Sequence, residues 1–230
     1  MSRRQHRSPW ALAGLISVPT TFLLAFLTPV QASASALAYG GDGVPDWIRN
    51  VGGVQAFADD IWSRFGGSLN QYDFWGRWAV LCYLGAVVGF WAFHRVAAPS
   101  VTGWRLLFAT LCIAAVGDVG AYSSLPVISN VGGTIEFFML PLMLAGVIRY
   151  GWVLLRRKLS PRWPGWVLIV SAAAVIPSMG LTGYWPHGFV LPISAGIAVL
   201  ATATAVGLVM TGEDVPPKLA GEHAQPVLGR

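Results

Sequence analysis

Six apolar stretches, each long enough or nearly long enough to cross a bilayer as a helix, constrain this chain more than any other feature. They run roughly Trp10–Val30, Phe74–Val96, Trp104–Leu125, Gly132–Leu155, Trp163–Thr182 and His187–Met210. In hydrocarbon, backbone N–H and C=O groups must be satisfied within the protein, so spanning segments of this composition fold as helices. The chain of 230 residues is 55% hydrophobic and only 11% charged, where a soluble domain carries about 25% charged residues. The expected fold class is all-α: a polytopic membrane helix bundle with six transmembrane helices, or five if the N-terminal segment is a cleaved signal.

Tryptophans mark many of the ends of these stretches: Trp10, Trp75, Trp78, Trp104, Trp152, Trp163, Trp166 and Trp185. Such residues form aromatic belts at the two membrane interfaces. Basic residues indicate orientation. Arg3, Arg4 and Arg7, then Arg95 and Arg105, then Arg156, Arg157, Lys158 and Arg162 fall beside segments that alternate as one side. The other side carries Asp42, Asp46, Asp59, Asp60 and Asp73 against Arg49 and Arg64. The positive-inside rule makes the first side cytoplasmic, in a plasma membrane, with both termini inside if the first segment is retained. This placement explains the net charge of +5 without nucleic acid, which is not expected as a partner. The expected partners are the lipid bilayer and other membrane proteins.

Residues 1–30 read equally as a first transmembrane helix and as a signal peptide. They combine a basic start and an apolar run, followed by small-residue sites at Ala32-Ser33-Ala34 and Ala36-Leu37-Ala38. Residues 31–73 form an extracytoplasmic loop. Within it Ile48, Val51, Val54, Ala58, Ile61, Trp62 and Phe65 recur at helical spacing, which predicts a short amphipathic helix stopped at Gly66-Gly67. Residues 74–210 supply the remaining five-helix transmembrane bundle, and 211–230 read as a disordered cytoplasmic tail. Cys82 and Cys112 lie in separate apolar spans and read as small hydrophobes. Gly85 and Gly89 give the second span a small packing face.

Asp118 and Glu136 are the residues most suggestive of a site, because both fall inside apolar spans. A charge at mid-membrane costs at least ~2.5–3.5 kcal/mol on insertion scales, so it pairs with something or acts on something. The spans that hold them form a hairpin. At 1.5 Å per residue both are expected about 6–10 Å below the outer face. Gly117 and Gly120 flank Asp118 and allow a neighbouring helix to come close. Arg77, at similar depth, is the expected ion-pair partner, while a shared proton and a bound cation or substrate are the alternatives. Tyr184 and His187, at the outer start of the last span, complete the expected binding or ion-pair cluster of Arg77, Asp118, Glu136, Tyr184 and His187. Pro126, Pro141, Pro177, Pro186 and Pro192 fall in or near the outer halves of the last four spans. They suggest a less regular outer half, opening into a cavity lined by Asp118, Glu136, Tyr122, Thr182, Tyr184 and His187.

No catalytic signature, P-loop, dinucleotide fingerprint or metal-ligand spacing is present, so no metal or cofactor is expected and the sequence singles out no catalytic residue. His94 and His187 are placed at opposite faces, which argues against a haem held by two histidines. The leading expectation is a binding or accessory membrane protein with an outer-face polar cluster. A small proton- or cation-coupled transporter and a membrane enzyme acting on a lipid or envelope substrate follow. The enzyme reading is disfavoured for want of a visible nucleophile–base pair.

Overall fold

A computed structural model describes residues 8–39, 45, 51–156, 161–182 and 185–209, and among these all regular structure is helical. The elements are α1 (Pro9–Gly14), α2 (Ser17–Tyr39), α3 (Gly52–Phe65), α4 (Gln71–Ala97), α5 (Trp104–Ala121), α6 (Pro126–Arg156), α7 (Trp163–Thr182) and α8 (Trp185–Ala205). Six helical segments are long and apolar enough to cross a membrane: α1 with α2, then α4, α5, α6, α7 and α8. The chain is a multi-pass membrane helix bundle. Its tail beyond Val209, and the expectation that the tail is disordered, lie outside the described residues.

Local chemistry sets the helix starts. Pro9, Pro126, Pro164 and Pro186 sit in first turns, where a missing N–H costs nothing because that donor has no helical acceptor. The Asn70 side chain accepts the Asp73 N–H at 2.7 Å, capping α4. Pro29, Pro141, Pro177 and Pro192 lie inside helices that continue through them. The irregular half suggested by the prolines is therefore not observed. Each ring removes one backbone bond, and the packed neighbours hold the rest of the helix.

The bundle is turned inside out relative to a soluble domain. Val127 and Ile176 are 75% and 77% exposed, and they join many other large apolar side chains on the outer surface. Bare apolar area of that extent needs lipid or another partner to cover it. Phe90, Phe93, Leu107, Leu111, Leu140 and Met143 fill the interior. α8 is the most enclosed span and packs on α1, α2, α4, α6 and α7. Gly85 faces Thr20 and Gly89 faces Ser17 and Ile197, so the small face of α4 seats other helices of the same chain.

The two ends of the bundle differ in charge. Arg95, Arg105, Arg149, Arg156 and Arg162 lie at the end bearing the α4–α5 and α6–α7 connections, here called the basic end. The acidic end carries α3, the start of α4, and the α5–α6 and α7–α8 turns. Trp10, Trp78, Trp152 and Trp166 are exposed, but Trp75 is buried against Phe26 and Phe74 and belongs to the core. α3 packs on α2 through Val54, Ala58 and Ile61, and Gln55 Nε2 donates to the Pro29 carbonyl at 3.0 Å. Phe65 leaves the expected stripe and is exposed, while Trp62 packs on the core and donates to the Leu69 carbonyl at 2.9 Å. Ile48 lies outside the described residues.

Candidate functional site

The α5–α6 hairpin is the tightest helix pair in the protein, and glycine makes it so. A β-carbon on Gly132 would collide with the backbone of Ala121 and Gly120 and lie 2.6 Å from the Gly117 oxygen. One on Gly117 would lie 3.0 Å from the Glu136 nitrogen. Backbones this close admit no side chain at Gly132 and leave a tight fit at Gly117. The Ser129 hydroxyl donates to the Ala121 carbonyl at 2.6 Å, satisfying an acceptor at the end of α5.

This crossing holds Asp118 and Glu136 within electrostatic reach of each other. Both are inside the protein, 1% and 6% exposed. Tyr83 of α4 donates to Glu136 Oε1 at 2.6 Å in a buried hydrogen bond. No other hydrogen bond reaches Glu136, and Asp118 Oδ2 has no partner among the described residues. Cys82, next to Tyr83, is also within electrostatic reach of Asp118.

Arg77 does not join them. It is exposed, its Nε donates to the Tyr122 carbonyl at 3.3 Å, and it forms no ion pair with either carboxylate. Gly76, Tyr83 and Phe90 recur every seven residues and define the buried face of α4. Arg77, one residue on from Gly76, is turned about 100° from that face. The expected ion pair rested on depth alone, which does not fix azimuth. Among the described residues the salt bridge present is Arg64–Asp60, exposed on α3.

Glu136 also lies deeper than the sequence reading placed it. α6 begins at Pro126, so about three turns of helix precede Glu136. His187 is 2% exposed, buried in the first turn of α8 and not at the surface. Tyr184 lies outside the described residues.

A cavity of about 240 Å³ opens at the acidic end, above the carboxylates. Among the described residues Glu136, Tyr72, Tyr122, Phe137, Ser129 and Pro186 line it. Tyr122 and Glu136 were expected there. Asp118, Thr182 and His187 are not lining residues, and Tyr72, Ser129 and Phe137 were missed. Tyr72 precedes the apolar span and Ser129 and Phe137 fill ordinary helix positions, so only the fold brings them together. Among the described residues no lysine, arginine or histidine lines the cavity.

A second buried polar pair lies toward the basic end of the same α4–α6 seam. His94 Nδ1 and the Tyr150 hydroxyl are 3.0 Å apart. Trp104 stacks on the His94 ring at 4.8 Å, and Phe90 meets Tyr150 edge-on at 5.3 Å. Among the described residues no group of histidine, cysteine and carboxylate side chains is arranged to hold a metal. The chain matches no protein-family model, no curated protein and no solved structure.

Proposed function

We propose that this chain is a membrane-embedded cation-binding protein whose binding group is the Asp118/Glu136 pair, loaded from the outer face. One observation carries the reading: two buried carboxylates share a site with no cationic side chain among the described residues, next to a cavity that Glu136 lines. Two negative charges cannot remain uncompensated in a low-dielectric interior. A proton or a bound cation has to neutralise them, and the cavity gives either a path. The outer location follows from the distribution of basic residues. Tyr83 supports the same reading. It takes up one oxygen of Glu136, while Asp118 Oδ2 has no hydrogen-bond partner among the described residues.

Transport is the second reading. The His94–Tyr150 pair gives the α4–α6 seam a polar step toward the basic end, which a purely structural carboxylate pair does not need. It ranks second because buried apolar side chains separate the two pairs.

Thermal unfolding of the purified protein in detergent tests the proposal. Cations at about a hundredfold excess over Kd add about 2.7 kcal/mol of stability by mass action. The expected result is a cation-dependent rise in the unfolding midpoint that Asp118→Asn or Glu136→Gln abolishes. A midpoint indifferent to every cation, with both variants simply less stable, overturns the proposal and leaves the pair structural.

A further inference from the structure

A second opening near the acidic end lies between α2, α3 and α4. It is a groove of about 420 Å³, and it shares no described lining residue with the cavity beside Glu136. Among the described residues Leu23 and Phe26 of α2, Phe57 and Ile61 of α3, and Trp75 and Trp78 of α4 line it. Phe26 ties the three helices together, since its ring meets Phe57 edge-on at 6.0 Å and Trp75 edge-on at 5.8 Å. The groove is continuous with the lipid-facing surface of the bundle. Trp78 and Leu81, one turn on, are both exposed on α4, as is Phe22 beside Leu23 on α2.

The walls select the occupant. They are aromatic and aliphatic, and apolar openings of this kind stay dry. A transmembrane helix is too wide for the space, because at about 10–12 Å across and about 5.4 Å per turn a single turn takes up about the whole volume. An acyl chain is slender and already stands beside the groove in the bilayer. It packs on rings and branched side chains through dispersion contacts, the force that holds apolar groups together where hydrocarbon surrounds them. The volume is in the ~300–1,000 Å³ range of small-ligand sites.

α3 supplies the complement to a head group. Asp60 and Arg64 follow Phe57 by three and seven residues, so they share its side of the helix and border the groove. Their ion pair is 2.8 Å long and exposed. An exposed pair of this kind holds its partners weakly, which leaves Arg64 available to a phosphate and Asp60 to an ammonium. Those two charges, one head group apart, are the charges of a zwitterionic phospholipid.

We infer that the groove between α2, α3 and α4 binds a zwitterionic phospholipid of the adjoining leaflet, with one acyl chain on Leu23, Phe26 and Trp75 and the phosphate at Arg64. The chain extends the apolar seat that Val54, Ala58 and Ile61 give α3 on α2.

The test uses the full chain, stripped of lipid in maltoside detergent, with tryptophan fluorescence as the readout. The probes are phosphatidylethanolamine carrying one mid-chain dibrominated acyl chain, the diacylglycerol with the same chains and no phosphate, and unbrominated phosphatidylethanolamine as competitor. Bromine quenches an indole that it touches. The expected result is saturable quenching by the brominated phospholipid, reversed by the competitor and mostly lost when Trp75→Phe and Trp78→Phe are combined. Phe57→Ala, at an exposed position, and Leu23→Phe, which narrows the groove, should each raise the half-saturating lipid concentration. Arg64→Gln should raise it about fivefold for the phospholipid, the effect of one basic residue at a membrane surface, and leave the diacylglycerol unchanged. Quenching that grows in proportion to lipid and ignores Phe57→Ala and Leu23→Phe would show bulk contact alone and overturn the inference. Equal binding of diacylglycerol and phospholipid would overturn it as well, since the groove would then read the chain without the head. A changed oligomeric state in Leu23→Phe, with quenching untouched, would make the groove a protein contact instead.

Discussion

Gly132 is the residue on which the geometry of the site most depends. It lies where α5 and α6 touch backbone to backbone, and any side chain there would push apart the two helices that carry Asp118 and Glu136. Gly132→Ala should lower stability by at least about 3 kcal/mol, at the upper end for overpacked positions, since backbone cannot yield as a flexible side chain does. Arg77→Ala should cost less than about 1 kcal/mol, because the side chain is exposed and its hydrogen bond is long. Thermal unfolding of the two variants side by side checks the ranking. Comparable losses would restore Arg77 as a partner of the carboxylates. The contrast shows how far single residues were legible. That Asp118 and Glu136 would lie near each other was legible from their cost in apolar spans and from the hairpin those spans form. That Arg77 does not meet them was invisible to an argument from depth, and readable from the seven-residue spacing of Gly76, Tyr83 and Phe90.

At the scale of elements, α4 and α6 are joined by reach and not by close approach. The helices flanking α5 meet through long side chains, Tyr83 to Glu136 near the acidic end and Tyr150 to His94 toward the basic end. The inward residues on α6 are Glu136, Met143 and Tyr150, again at sevenfold spacing, which keeps them on one face. The helices themselves were legible, because a run of about twenty apolar residues has one stable form in lipid. Their pairing was not. A tyrosine reads as core, belt or ligand until its neighbour across the seam is known, so neither Tyr83 nor Tyr150 stood out. Tyr150→Phe removes a buried hydroxyl and strands the His94 nitrogen. The expected cost is about 1–2 kcal/mol, the range for hydrogen bonds between membrane helices, without effect on cation-dependent stabilisation at the other end. A loss of that stabilisation in Tyr150→Phe would mean that the two polar pairs are coupled.

For the whole molecule, the two polar pairs are separated by a packed apolar layer. Phe90, Leu111, Leu140, Met143 and Val147 lie between them, and each is at most 1% exposed. Water and ions find no hydrogen-bonding partners in such a layer, so the cavity is a dead end in this conformation. A cysteine introduced in place of Gly133, in the cavity wall, should react with a membrane-impermeant thiol reagent from the outer side only. Gly133 tolerates the change, since a β-carbon there meets nothing within 4 Å. A cysteine replacing Met143, within the layer, should react from neither side. The native thiols are removed first by Cys82→Ala and Cys112→Ala, because Cys82 lies close to Asp118. Labelling of the Gly133 position from the opposite side would reverse the orientation inferred from the basic residues. Reaction at Met143 would show that the layer opens, and a protein whose buried carboxylates become reachable past such a layer fits the transport reading better than static binding.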